Sequence, residues 1–394
     1  MEHEFVQRKS LLDALALRIS ESPVTVLLGA RQVGKSTLAR MFCTGRSDVT
    51  WYDLETSSGM ESLRAMPEKT LGAKRGLVVL DEIQRMPDLF RLLRPLCDRG
   101  GMPARFLLLC SAAPELIRGV SESLAGRAQF LQVPGLSLGE VGTENQDALW
   151  MRGGFPPSFL AKDAAAAWRW REGFVQTFLE RDIPQLGIRV PAQSLRRFWS
   201  MAAHYHGQVL NLAEMGRTLD VSPATARHYL DILCGSYVMR QLQPWFENLG
   251  KRQVKSPKLY FRDSGLLHFF LGTEEMDGLL AHPRLGASWE GFALEQVLAQ
   301  VGDHDAYFWA TQRGAELDLL VIRKGRRYGF EFKASDAPRL TASMRIAIDD
   351  LKLDRLWVLH PAGADPYWLA ERIETCPLRK WTPRLLEDAA GQLP

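Results

Sequence analysis

The stretch Gly29-Ala30-Arg31-Gln32-Val33-Gly34-Lys35-Ser36-Thr37 carries the spacing G-x-x-x-x-G-K-[ST] of a phosphate-binding loop. Its glycines let backbone N–H groups approach phosphate oxygens with no Cβ in the way. Lys35 is placed to reach the β- and γ-phosphates of ATP, and Ser36 to set its hydroxyl on Mg²⁺. Further on, Leu77-Val78-Val79-Leu80 ends in Asp81-Glu82, the Walker B pattern. Asp81 at such a strand tip holds Mg²⁺ through water, and Glu82 polarises the attacking water as general base. The plain alternatives are a glycine-rich turn with no ligand and a solvated strand end.

These residues need a scaffold, and the sequence supplies one. Val24–Leu28 is a β-branched apolar run that reads as a buried strand, and Ser36–Phe42 reads as the helix after the loop. The helix N-terminus adds partial positive charge where phosphate would sit. Val49–Leu54 reads as a strand between the two motifs, an order that suits the P-loop class with a catalytic glutamate. Arg105–Cys110 reads as another strand ending at Ser111. Ser111 reads equally as a residue that orients the lytic water (sensor 1) and as an N-cap for the next helix. Arg127, in Ser123-Leu124-Ala125-Gly126-Arg127, is a candidate arginine finger for a neighbouring subunit, or a plain surface arginine; Arg31 and Arg118 are weaker candidates.

Residues 147–190 read as helices, including Ala164–Leu179, forming a lid behind the nucleotide, with Arg181 as a second nucleotide-sensing candidate. Leu212–Leu219, the turn Asp220-Val221 and a helix from Pro223, capped by Ser222, read as a helix-turn-helix. Tyr237–Leu242 and Lys258–Phe261 read as a two-stranded wing. Thr225, Arg227 and His228 stand where a major-groove reader carries its contacts, and Lys251, Arg252, Lys255 and Lys258 make the wing basic. A winged-helix packing module that touches no DNA is the alternative.

From about Pro283 the pattern changes to a helix carrying Glu290, a strand Ala306–Trp309, and a hairpin of Glu316–Val321 with Tyr328–Lys333. Asp318 followed by Glu331-x-Lys333 resembles the PD-(D/E)xK nuclease core, without a Pro-Asp pair. Glu331 and Lys333, two apart, share one sheet face. With Asp318 and Glu290 the acids form a candidate Mg²⁺ site and the lysine a water-positioning group; a remnant fold with these charges ion-paired is the alternative. Leu356–His360 reads as one more buried strand, and Glu374–Pro394 as a polar ending.

The stretches GARQVGKST, LDEIQR, SLAGR and LSLGE, continued by GGFPPSFL, TFLERDI, SPATARHYLDIL and SPKLYFRDSGLLHFFLG, resemble the bacterial and archaeal AAA+ ATPases with a DUF4143-type C-terminal half. The resemblance covers nearly the whole chain and implies an ATP-binding, ATP-hydrolysing protein. The expected fold is α/β: an AAA+ core over residues 1–146, a helical lid over 147–190, a winged helix-turn-helix over 191–282 and a PD-(D/E)xK restriction-endonuclease-like α/β domain over 283–394.

Composition sets bounds on this reading. The net charge of +3 confines any nucleic-acid surface to a local patch. Five scattered cysteines without a C-x-x-C suggest neither a zinc ribbon nor a disulfide framework, and fit a reducing cytosol. No apolar run approaches a membrane span, and no signal peptide is visible, so a cytoplasmic protein is expected. Three functions stand: an oligomeric, for instance hexameric, ATP-driven protein acting on duplex or branched DNA; a nucleotide switch acting on proteins; and an ATP-gated, metal-dependent nuclease.

Overall fold

A computed structural model describes residues 6–100, 103–111, 123–247, 252–363 and 365–388. Arg118 and Lys251 lie outside the described residues.

The N-terminal sheet comprises β1 (Val24–Gly29), β2 (Val49–Asp53), β3 (Leu77–Asp81), β4 (Arg105–Ser111) and β5 (Ala128–Gln132) in the order β2-β3-β4-β1-β5, every pair parallel. A parallel sheet is covered on both faces, and β1 and β3 are accordingly buried at every position. Alternation assigns the two faces. Leu27, Val79, Leu107 and Leu109 pack with Leu38 and Ala39 of the helix Lys35–Cys43. Val26, Val78, Leu80, Phe106 and Leu108 pack with Leu63, Phe90 and Leu93 on the other side. Since β4 lies between β1 and β3, the ends of all three strands open onto one edge.

The core of the first face does not stop at the ATPase sheet. It continues through Phe174 and Phe178 into Phe198, Trp199, Leu230 and Leu233 of the helices Ala192–His204 and Pro223–Gly235. The expected lid is thereby divided. Its helix Ala164–Thr177 joins this core, but the helix Gln146–Arg152 buries Leu149, Trp150 and Met151 against the C-terminal domain instead. Trp150 Nε1 donates to Ser288 Oγ across 2.9 Å there.

The helices Leu212–Leu219 and Pro223–Gly235 are joined by a short turn in which Asp220 is left-handed and Ser222 caps the second helix. The sheet beside them has three strands, not the two expected: β6 (Gln208–Val209), β7 (Met239–Leu242) and β8 (Lys258–Phe261), in the antiparallel order β6-β8-β7.

The C-terminal sheet has β9 (Ala306–Ala310), β10 (Glu316–Arg323), β11 (Arg326–Phe332), β12 (Arg355–His360), β13 (Tyr367–Ala370) and β14 (Ile373–Pro377), in the order β13-β14-β12-β11-β10-β9. The helix Leu285–Val301 covers one face through Trp289 and Phe292, and the helix Ala342–Leu351 the other through Met344 and Leu351. Residues 374–377 are therefore not part of a polar ending: β14 runs parallel to β12 and is largely buried. Among the described residues no helix is long and apolar enough to cross a membrane.

Candidate functional site

The loop after β1 depends on backbone freedom. Gly34 sits at φ 99° and caps the following helix, and Gln32 is left-handed as well. A Cβ at Gly29 would run into the carbonyl of Val133, which follows β5. Ala30 and Val33 are buried beneath the loop, Gln32 is exposed, and Ser36 and Thr37 open the helix.

Lys35 is buried, and its ammonium donates to the carbonyls of Gly29 at 3.0 Å and Ala30 at 2.9 Å and to Ser111 Oγ at 3.1 Å. Ser111 at the end of β4 donates in turn to Glu82 Oε1 at 3.2 Å. Glu82 is left-handed at φ 56°, directly after β3, and also accepts from Gln84. Ser36 Oγ donates to Asp81 Oδ1 at 3.2 Å. Loop, Walker B acids and Ser111 thus form one connected set. Burial pulls the Lys35 pKa down against the neighbouring Glu82 and Asp81 charges. Burial pushes Asp81 up to about 6, opposed by the Ser36 hydrogen bond. A serine hydroxyl beside an aspartate at a phosphate loop is the oxygen donor set that suits Mg²⁺.

Arg31 does not point at this set. It pairs with Asp182 Oδ1 and Glu55 Oε1, each at 2.7 Å. Arg181 reaches the same Glu55 oxygen at 3.1 Å and Arg85 at 3.8 Å. Asp182 ends a π-helical turn, Phe178–Asp182, that extends the helix Ala164–Thr177. Glu55, Arg85 and Asp182 were not legible as a group, because only the fold unites them. Arg8 was missed too: it pairs with Glu140 at 2.7 Å and donates to the carbonyls of Pro134 and Gly135.

Arg127 forms a two-point ion pair with Asp98, at 2.7 and 2.9 Å. It precedes β5 beside Val24, whereas the phosphate loop leaves the other end of β1. Five residues of strand, about 16 Å, separate it from the loop of its own chain.

The residues considered for DNA divide into two places. Thr225 is engaged in the helix cap with Ser222, while Arg227 and His228 are exposed on the same helix, Arg227 donating to Gln241 Oε1 at 3.0 Å. Arg252 and Lys255 are exposed on the connection from β7 to β8, which runs along β9. Lys258 is a correction to the expected basic wing: it is 3% exposed and turns into the C-terminal domain.

There it meets the residues expected to form the C-terminal metal site. Lys258 Nζ lies 3.2 Å from Glu290 Oε1 and 3.5 Å from Asp318 Oδ1, and pairs with Glu316. Lys333 is 2.6 Å from Glu331 and 3.7 Å from Asp318. The fold does gather Glu290, Asp318, Glu331 and Lys333. It does not arrange them for the expected metal: among the described residues no group of three or more His, Cys, Asp or Glu side chains is disposed to hold an ion. Lysine ammoniums stand between the carboxylates instead.

Against known families, residues 21–142 match the AAA domain, 143–277 a domain of unknown function (DUF8612) and 285–381 a domain of unknown function (DUF4143). An uncharacterized protein of Mycobacterium tuberculosis is 47% identical over 372 residues, spanning 94% of this chain and 84% of that protein. An uncharacterized protein of Mycobacterium bovis matches to the same extent. Among solved structures, a Walker-type ATPase of Pyrococcus abyssi aligns at 14% identity and TM-score 0.44, over 68% of this chain and 97% of its own. RuvB of Thermotoga maritima aligns at 15% identity and TM-score 0.32, over 60% and 90%.

Proposed function

Because this chain belongs to the AAA-type P-loop ATPases that carry a C-terminal DUF4143 domain, we propose that it hydrolyses Mg²⁺·ATP at the ends of β1, β3 and β4 and uses the cycle to act on DNA as an oligomer. The observation that carries the hydrolytic reading is the hydrogen-bond chain Lys35–Ser111–Glu82. It joins a phosphate-binding cation to a carboxylate through one hydroxyl.

Each residue then has a role. Backbone N–H groups from Gly29 to Thr37 and the helix N-terminus hold the phosphates. Lys35 exchanges its carbonyl partners for phosphate oxygens. Ser36 and Asp81 hold Mg²⁺, which when bound neutralises phosphate charge. Glu82 orients and deprotonates water, and Ser111 fixes the Glu82 carboxylate. Arg127, far from its own loop, serves a neighbouring subunit. Arg227, His228, Arg252 and Lys255, with Lys251, supply phosphate and groove contacts. Support for coupling comes from the core, which is continuous from Leu38 beside the loop to Leu230 in the helix-turn-helix.

A second reading, a nucleotide switch acting on proteins, is favoured by β13. This edge strand exposes Tyr367 and Trp368, the latter 54% exposed, and an open strand edge with aromatics suits a protein partner. Steady-state ATP hydrolysis with and without single-stranded, duplex, forked and four-way DNA, with Lys35→Ala as blank, separates the two. Stimulation by one DNA form that falls steeply with salt supports the DNA reading. Turnover indifferent to every form sinks it.

A further inference from the structure

Four carboxylates and two ammonium groups meet where the three-stranded sheet abuts the C-terminal sheet: Glu290, Glu316, Asp318 and Glu331 with Lys258 and Lys333. In a nuclease-like fold this is the place for a divalent cation. We infer that Lys258 is the resident cation of this centre, so that the C-terminal domain of this chain takes no divalent metal and is closed to metal-dependent phosphodiester cleavage.

The geometry is that of a filled site. A hard cation would bridge carboxylates from the helix Leu285–Val301 and from β10. The Lys258 ammonium makes that bridge, at 3.2 Å from Glu290 and 3.5 Å from Asp318, with Glu316 as a third partner. Further donors add to these contacts. The Tyr260 hydroxyl donates to Glu290 Oε1 at 2.6 Å, and the Phe332 N–H donates to Asp318 Oδ2 at 3.1 Å. Lys333 holds Glu331 at 2.6 Å. A metal entering here would displace a buried ammonium, and a buried charge without partners is strongly unfavourable.

The lysine is also fixed from behind. It is the first residue of β8, the middle strand of its sheet, paired with Val209 on one side and Leu242 on the other. Tyr260, two residues on, shares its face. The connection between β7 and β8 is tied to β9: Trp245 N donates to the Phe308 carbonyl at 2.7 Å, and Val254 N to that of Ala310 at 3.0 Å. The backbone that carries Lys258 is thus held by its own sheet and, through the connection before it, by β9.

The inference stands independently of the ATPase reading, because it concerns nucleotide-free protein. Titrating the full-length chain with Mn²⁺, with free ion read by electron paramagnetic resonance, tests it. Wild type and Asp318→Asn should take up the same amount of Mn²⁺. Lys258→Met, folded by circular dichroism, should gain one Mn²⁺ per chain, and Lys258→Met/Asp318→Asn should lose it again. A wild-type Mn²⁺ site that disappears in Asp318→Asn overturns the inference. So does a folded Lys258→Met that binds no more Mn²⁺ than wild type, since the acids would then not form a cation position. Should Lys258→Met fail to fold, wild type against Asp318→Asn decides alone.

Discussion

The Ser111 hydroxyl donates to the Glu82 carboxylate across 3.2 Å, between the ends of β4 and β3. That contact holds the carboxylate of a left-handed residue that directly follows β3. Removing the acid and removing its support should therefore differ in size. Glu82→Gln should keep ATP affinity and lower turnover by about 10²–10⁴-fold, the range for a lost general base. Ser111→Ala should lower it about fivefold, the equivalent of one hydrogen bond of about 1 kcal/mol. Single-turnover hydrolysis alongside equilibrium ATP binding measures both. Normal turnover in Glu82→Gln removes it as the base.

Lys35 tests the loop itself. Its ammonium is buried and held by two loop carbonyls and Ser111, so the side chain also tightens the nucleotide-free loop. Lys35→Ala should abolish ATP binding in a calorimetric titration while leaving the circular dichroism spectrum unchanged. Full retention of binding would refute the phosphate-loop assignment.

Asp81 gives a pH dependence. Burial raises its carboxyl from an ordinary value of 3.8 to about 6. A folded-state pKa above the unfolded one means that the folded form holds the proton more tightly. The associated stability is full below about pH 4 and is lost as pH rises through about 6. Ionised Asp81 thus costs the nucleotide-free fold up to about 3 kcal/mol at pH 8. Asp81→Asn should melt above wild type at pH 8, and the gap should narrow as pH falls from 6 towards 4. Thermal melts across that range check it; a gap that does not change with pH counts against a buried, perturbed Asp81.

The strands that carry the site were legible because each is an apolar run ending in a residue of different chemistry: Leu28-Gly29, Leu80-Asp81, Cys110-Ser111. Buried parallel strands write themselves this way. Partnerships were not legible. Arg31 and Asp182 lie 151 residues apart and share no periodicity, so only the fold joins them. The division of the lid was hidden for a related reason: Leu149 and Trp150 announce that a helix is buried, but not against what. Lys258 misled outright, since a lysine in a basic stretch reads as surface until Glu290 and Asp318 are brought onto its strand's inner face. In β14, Thr375-Cys376-Pro377 has weak strand character, and its place beside β12 decides its burial.

Arg127 offers the sharpest test of assembly. Its guanidinium is paired with Asp98 at the strand end away from its own loop. Within one chain Arg127→Ala should leave ATP binding intact, and the solvent-exposed ion pair it breaks contributes little to stability. If the residue completes a neighbour's site, turnover should fall by about 10³-fold or more, the scale of an arginine supplied in trans. Complementation separates this from a local effect. Mixing Arg127→Ala with Glu82→Gln places an intact Glu82 site next to an intact Arg127 at some interfaces, and turnover should partly return. Neither single variant recovers alone, and a mixture as inactive as its components would exclude a finger in trans. Wild-type specific activity that stays constant while dilution dissociates the assembly would argue the same way, because a shared site must weaken as the assembly comes apart.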